Sequence, residues 1–445
     1  MAVAATARQI GEALAATLRH ERVPPVRRLI VALSGGGDSF ALLLALSADP
    51  RWSERVLAWH VHHGLQSDAD RFATICQRQC EHCSVPLDTF HVSVASRGGG
   101  GPEQRAREAR YRALAGALGP GDIVVFGHHR DDQAETVLQN AFRGAGARGL
   151  RGMPAVAPLG AGLLVRPMLS LDRTALAALA ASAGISIAVD THNTDAHFDR
   201  VYLRATVLPT IDRRWPDVGA RLASTATRLA GDYRLTVAAA RQQLQRSRSV
   251  DGALTVGPLR VVPEAAAVGL VREWLLAEGY RPPPPASLRA LVAMLASARA
   301  DSQTSVDGDG FRISLFQRRL YIVQARAAPS HGVLSPDRPY RVGSGDGWIA
   351  LEPTNGPGLA APAAGFDVSF RRGGERLDAG SARPRQALKE WLRNRQVLPW
   401  WRDRLPLIYA GDQIVAVGDL WQRTDSNSGT RFRVVWRDAP VVRAL

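Results

Sequence analysis

The chain predicts an α/β fold, a doubly wound, mostly parallel sheet, followed by a helical domain and a small α+β C-terminal domain. Three observations carry this expectation. Between Val26 and about Pro209, short apolar runs alternate with helical patterns, the order in which parallel strands are joined by crossover helices. After Trp215-Pro216 the apolar spacing becomes helical and alanine-rich. From Phe366 onward, arginine and tryptophan mix with short strand-like runs.

Taken in order, residues 1–20 read as a helix, because Arg8, Gln9 and Glu12 break the apolar run a secretory signal needs. Strands are expected at 29–33, 56–61, 87–92, 123–126 and 163–165, with intervals long enough for crossover helices. Residues 131–143 place Ala134, Val137, Leu138, Ala141 and Phe142 at i, i+3, i+4, i+7 and i+8, which makes one buried helical stripe. Four consecutive glycines precede Pro102, so a loop is expected to lead into a helix at 103–118. The domains expected are 1–215 with the parallel sheet, a helical 216–326, a Pro-, Gly- and Ser-rich linker at 327–365, and 366–445. The middle one has helices at 220–246, 264–278 and 287–298 and ends in a β-rich piece at 311–323. The last has a helix at 385–395 and strands at 414–417 and 432–436.

The 445 residues carry 56 Lys and Arg against 41 Asp and Glu, a net charge of +15, and Lys389 is the one lysine. An excess built from arginine points to a polyanionic partner such as nucleic acid. The 46% hydrophobic and 22% charged composition excludes wholesale disorder. Cys76, Cys80 and Cys83 are too few and too clustered for a disulfide framework and fit a cytoplasmic, reducing compartment. On their helix they are expected to form an apolar stripe with Phe72 rather than a cluster site. No stretch approaches eighteen apolar residues, so no membrane span is expected.

Chemistry is concentrated after the first strand, where Ser34-Gly35-Gly36-Gly37-Asp38-Ser39 leads into an apolar helix at 40–46. Glycines let backbone N–H groups approach phosphate oxygens, and a helix N-terminus adds partial positive charge. A Walker loop would supply a lysine here. Asp38 instead suits an Mg2+ bridge and Ser39 a hydroxyl contact, so pyrophosphate is expected to leave as a unit while the α-phosphate is attacked. Asp132 and Glu135 share one face of a helix near its N-terminus, as acids that complement a macrodipole also do. Arg107 and Arg110 share a face with Glu103 on theirs. His60, His62, His128 and His129 fall at carboxyl ends of strands, where open α/β sheets place ligands. Nucleotide contact is favoured there over a Zn2+ site.

The loop, Ser-Gly-Gly-x-Asp-Ser after a buried strand, resembles that of the PP-loop ATP pyrophosphatases, which adenylate a carbonyl-type oxygen and displace AMP with a nucleophile. The likeness narrows with His60-Val-His62-His63-Gly64-Leu65, the run Pro102 to Tyr111, Gly127-His128-His129 with Asp131-Asp132 and Glu135-Thr136, and Arg143-Gly144 with Gly149-Leu150. Asp190-Thr-His-Asn193, Arg200 and Arg204 follow, then Arg371 to Leu377, Leu388 to Leu392 and Leu398 to Arg402. Together these are similar to the tRNA(Ile)-lysidine synthases. Val201 departs from the family where an asparagine commonly follows the first arginine, and Gln66 where an arginine often follows Gly-Leu.

The resemblance implies ATP-dependent ligation of L-lysine to C2 of the wobble cytidine of tRNA(Ile) with a CAU anticodon, through an adenylated intermediate, with ATP and Mg2+ required. It implies ATP binding by Ser34, Gly35, Gly36, Gly37, Asp38, Ser39, His62 and His129, with Asp38 on the metal. It implies catalysis by Asp38, Asp132, Glu135, Arg107 and Arg110, and substrate contacts from Arg200, Arg204, Asp190 and Asn193. The 366–445 domain, with 15 Lys and Arg against 9 Asp and Glu, is implied to bind tRNA, with Trp391, Trp400 and Trp401 suited to stacking. A homodimer is among the assemblies allowed for. Two other readings compete: a tRNA thiolase of the PP-loop type, which would need a catalytic or cluster-binding cysteine, and a basic RNA-binding protein with a degenerate nucleotide site.

Overall fold

The computed structural model describes residues 2–21, 23–62, 69–93, 102–188, 199–297, 304–378, 385–424 and 430–442. The chain divides into two compact units, Met1–Thr236 and Val237–Leu445.

In the first unit α1 (Ala2–His20) precedes β1 (Arg28–Ala32), α2 (Gly37–Ser47), β2 (Val56–His62), α3 (Ala69–Cys83), β3 (Leu87–His91), α4 (Pro102–Ala117) and β4 (Asp122–Val125). There follow α5 (Arg130–Phe142), α6 (Ala147–Leu150), β5 (Val156–Leu159), β6 (Gly162–Val165) and α7 (Arg173–Ser182). A short α8 (Asp199–Tyr202), a π-helical turn (Leu203–Val207), α9 (Leu208–Arg214) and the first part of the long α10 (Val218–Ser247), which runs on past Thr236, complete the series. The six strands run in the order β3-β2-β1-β4-β6-β5. Four neighbouring pairs are parallel and β5 pairs antiparallel with β6 at the edge. The chain therefore steps outward from β1 to β3 and returns to β4 on the other side of β1. The crevice above β1 and β4 is the switch point where such sheets bind ligands.

Alternation along the strands builds two cores. Leu29, Val31, Ile123 and Val125 pack with α1, α2 and α7 on one face, while Ile30, Val124 and Leu164 pack with Leu114 of α4 and Leu118 just after it on the other. Phe40, Leu42, Leu43 and Leu46 are fully buried, and at about 2 kcal/mol for each such side chain they anchor α2 behind the glycine loop. The helix begins three residues earlier than the apolar run suggests, at Gly37, so the loop's last glycine already belongs to the helix N-terminus.

The second unit has a helical part, α11 (Gly257–Arg260), α12 (Glu264–Ala277) and α13 (Pro285–Ser297), packed on a sheet of β7 (Leu254–Thr255), β8 (Ser305–Asp307), β9 (Phe311–Phe316) and β10 (Arg319–Gln324). The stretch 327–365, expected as a linker, is a correction. It contributes β11 (Gly332–Leu334), β12 (Tyr340–Arg341), β13 (Trp348–Thr354) and β14 (Leu359–Ala360). Leu334, Val342, Ile349 and Leu359 are buried in one core with Phe366, Leu407 and Val434. Composition misled because β11, β12 and β14 span only two or three residues each and most of the glycines and prolines lie in the turns between strands. Trp391 and Trp401 are also buried in that core, and Trp400 packs against it, so the three rings are packing residues.

Candidate active site

At the carboxyl end of β1, Gly35 adopts φ +83°, a conformation glycine tolerates. Its carbonyl accepts from Gln79 Nε2 and from Ala188 N, both at 2.9 Å. Gln79 is wholly buried on α3, so it anchors the loop from below. Ser39 Oγ donates to Gly36 O at 3.0 Å and accepts from Ser34 N at 3.2 Å, with Ser34 Oγ 3.1 Å away. The two hydroxyls thus brace the loop internally, while Gly36 and Gly37 open the N-terminus of α2 and Asp38 stands partly exposed in its first turn.

The carboxyl end of β4 carries Gly127-His128-His129. His129 caps α5: its Nδ1 accepts from Asp131 N at 3.2 Å, and its own N–H donates to Asp132 Oδ2 at 3.0 Å. Its Nε2 lies 3.6 Å from Asp38 Oδ2 and 3.4 Å from Asp132 Oδ2, which links the glycine loop to α5. Burial pushes the His129 pKa down, but the nearby carboxylates of Asp38, Asp132 and Asp131 outweigh it, so the net shift is upward. Asp132 is buried, which alone would raise its pKa; the charges of His129 and Arg200 and the backbone N–H of His129 hold it below the ordinary value.

Arg200 and Arg204 meet this acid pair. Arg200 Nε donates to Glu135 Oε2 and its Nη2 to Asp132 Oδ1, both at 2.6 Å; Arg204 Nε donates to Glu135 Oε1 at 2.6 Å and its Nη2 to Asp132 Oδ1 at 3.2 Å. Glu135 is wholly buried, and such a carboxylate needs these charge-assisted bonds. The two arginines stand one turn apart, on α8 and the π-helical turn, which is what their i,i+4 spacing allows.

The other expected residues are placed as follows. His62 lies at the end of β2 with Nε2 2.9 Å from Asp70 of α3. His60 is buried with Nδ1 3.0 Å from Leu33 O and 3.4 Å from Cys76 Sγ. Arg107 stacks on Tyr111 at 5.1 Å and donates to its hydroxyl at 3.2 Å, and Arg110 is half-buried on the same helix. Asp190 and Asn193 lie outside the described residues, as do Gln66 and the side chain of Glu103. Cys76 and Cys80 are buried in the core beneath the loop, and Cys83 packs against it. Arg166, one residue past β6, was missed by sequence reasoning. It is buried and donates to His128 Nδ1 at 3.3 Å. A cation placed directly after an apolar strand, at its carboxyl end, was the available signal.

The glycine loop and a buried carboxylate pair thus share one histidine at the switch point of the sheet. Family models match the chain in three places: a PP-loop domain at residues 5–211, a TilS substrate binding domain at 254–321 and a TilS substrate C-terminal domain at 366–436. A tRNA(Ile)-lysidine synthase from Xanthomonas campestris pv. campestris is 37% identical over 93% of this chain and 96% of its own length. One from Alkalilimnicola ehrlichii is 36% identical over 89% of this chain and 90% of its own. Among solved structures, a U34-tRNA thiolase from Methanococcus maripaludis aligns at 15% identity and TM-score 0.41 over 50% of this chain and 78% of its own. Matched over nearly its whole length by enzymes of one name, the chain belongs to the tRNA(Ile)-lysidine synthase family.

Proposed function

We propose that the chain joins L-lysine to C2 of the wobble cytidine of tRNA(Ile) bearing a CAU anticodon, at the expense of ATP, in the cytoplasm. The observation that carries this reading is the bridge His129 makes between Asp38 of the glycine loop and Asp132 of the buried acid pair. It supports a reading in which the glycine loop takes the phosphates and the neighbouring acid pair takes the ammonium.

In the first step the cytidine O2 attacks the α-phosphorus of ATP and pyrophosphate leaves. The loop 34–39 receives the departing phosphates through its backbone N–H groups and the N-terminus of α2. Asp38 fits an Mg2+ site, because this ion takes one or two carboxylates and fills its remaining positions with phosphates and water; when bound it neutralises pyrophosphate charge. In the second step the lysine amine adds to C2, AMP departs with O2, and the amine proton passes to Asp132 or Glu135. Arg107 and Arg110 hold the lysine carboxylate or a phosphate. Arg200 and Arg204 hold the two carboxyl groups in place and yield part of their contact to the incoming ammonium or to the adenylated base. Asp190 and Asn193 complete the substrate contacts, and His62 the nucleotide's. Residues 1–215 serve as the catalytic domain and 366–445 as the tRNA-binding one. Among the described residues no helix is long and apolar enough to cross a membrane.

The test is incubation of the protein with ATP, Mg2+, labelled lysine and a CAU-anticodon tRNA(Ile) transcript. Label entering RNA with one AMP released per lysine, and only when cytidine is at the wobble position, is the expected result. AMP release without incorporation would reassign the nucleophile, and tRNA binding without turnover would favour the binding-protein reading.

A further inference from the structure

Arg166 is 6% exposed. Its Nε–H donates to His128 Nδ1 at 3.3 Å, Nη1 to Pro154 O at 2.8 Å and Nη2 to the Tyr111 hydroxyl at 3.4 Å. All three acceptors are uncharged. Arg107 donates to the same hydroxyl at 3.2 Å, so two guanidiniums converge on one phenol oxygen. Burying a cation without a carboxylate is expensive, and an apolar side chain would fill the space at less cost. Packing alone therefore does not account for Arg166.

A guanidinium stays protonated and offers only donors. Nδ1 of His128 is accordingly the bare nitrogen of the ring, and the proton of the neutral imidazole sits on Nε2. We propose that Arg166 is a positioning residue that locks His128 as the neutral Nε2–H tautomer, so that the ring adds no cation to the site and leaves the charge of Asp132 to the incoming amine. The role rests on the reading of Asp132 and Glu135 as the amine's site. The charges that act on the ring come from four elements. Asp132 of α5 favours protonation, whereas Arg166 after β6, Arg200 of α8 and Arg107 of α4 oppose it. The Phe126 ring, 5.5 Å away, is uncharged, as is the Tyr111 hydroxyl that Arg166 reaches. Burial and these cations hold the imidazole neutral, its pKa pushed down to about 3. A protonated ring would set a further cation against Asp132 and compete with the ammonium of lysine.

The test uses the full-length protein labelled with 15N in histidine, with the His128 signals identified by their loss in His128→Gln. His128 is expected to show a bare Nδ1 and a protonated Nε2, and not to titrate between about pH 5.5 and 8. A ring that titrates in that range, or carries its proton on Nδ1, overturns the assignment. Arg166→Met is expected to let the ring titrate and to raise KM for lysine about tenfold between about pH 8 and pH 6, while KM for ATP changes less than about twofold. A variant whose lysine KM follows the parent's pH dependence overturns the positioning role. The parent's spectra need neither Arg166→Met nor turnover, so they decide even where Arg166→Met does not fold. A parent that makes no lysidine would sink the proposed function while the tautomer is still read directly.

Discussion

Gly127 and Asp38 are held against each other so closely that a Cβ on Gly127 would stand 3.0 Å from both the carbonyl carbon and the carbonyl oxygen of Asp38, and equally close to Ser39 N. The atoms in the way are backbone, so they cannot swing aside. Gly127→Ala is expected to push the end of β4 away from the first turn of α2, at a cost of about 1–3 kcal/mol. The cradle and the His129 bridge depend on that spacing, so kcat/KM for ATP should fall at least about tenfold while far-ultraviolet circular dichroism stays unchanged. Wild-type kinetics in the alanine variant would mean the contact is not needed to set the site.

Glu135 makes the complementary case, because its charge is buried and shared by two arginines. Removing one member of such a network leaves the others uncompensated, so Glu135→Ala should lower stability by about 3–5 kcal/mol in urea titrations. Adding Arg204→Met to that variant is expected to recover at least about 1 kcal/mol, since the cation left with only its longer contact to Asp132 goes with it. Lysine incorporation should remain lost in the double variant. Recovery of incorporation along with stability would show that the pair serves folding alone.

Much of this arrangement was legible in the sequence because it depends on local patterns. The strand–loop–helix of 29–46 and the acids one turn apart at 132 and 135 follow from periodicity and short spacing. The edge strand Val156–Leu159 escaped because Pro158 argues against a strand, although an edge position tolerates the missing donor. Ile349 and Leu351 alternate inward along β13, but their neighbourhood of glycine and proline obscured the signal. The i,i+4 spacing of Arg200 and Arg204 could be read, whereas their partners could not, because these are set by the approach of α8 to α5 across more than sixty residues. Arg166 was passed over for the same reason: its lack of an acid is a property of the packed structure.

The cysteines give a third prediction. Burial, with a smaller contribution from the neighbouring Cys80, pushes the Cys76 thiol up to about 12, and burial with Cys83 and Glu81 does the same for Cys80. Thiolate is then scarce at neutral pH, and iodoacetamide should leave both residues unmodified in the native protein but label them in urea. Replacing all three cysteines by alanine should keep lysine incorporation within about threefold, at about 1 kcal/mol of stability for each buried thiol. Loss of product with the fold intact would bring back a sulfur-dependent reaction of the thiolase kind.

Asp122, at the opposite end of β4 from the site, tests the electrostatics of the fold itself. It accepts from Arg28 at 2.5 and 3.0 Å, from Arg27 at 2.7 Å and from Gly119 N at 2.8 Å. Led by the Arg28 hydrogen bond, these partners lower its pKa to about 2, against an unfolded value of about 3.9. A depressed folded pKa contributes stability that is fully present above the unfolded value and is lost as pH falls through the folded one. Because Arg27 is half-exposed, solvent screening limits the gain to about 1–2 kcal/mol. Asp122→Asn should therefore lower the urea midpoint at pH 7, and the gap to the parent should narrow between about pH 4 and pH 2. A gap that stays constant across that window would show that the charge of Asp122 contributes nothing and that its hydrogen bonds to Gly119 and the arginines act without it.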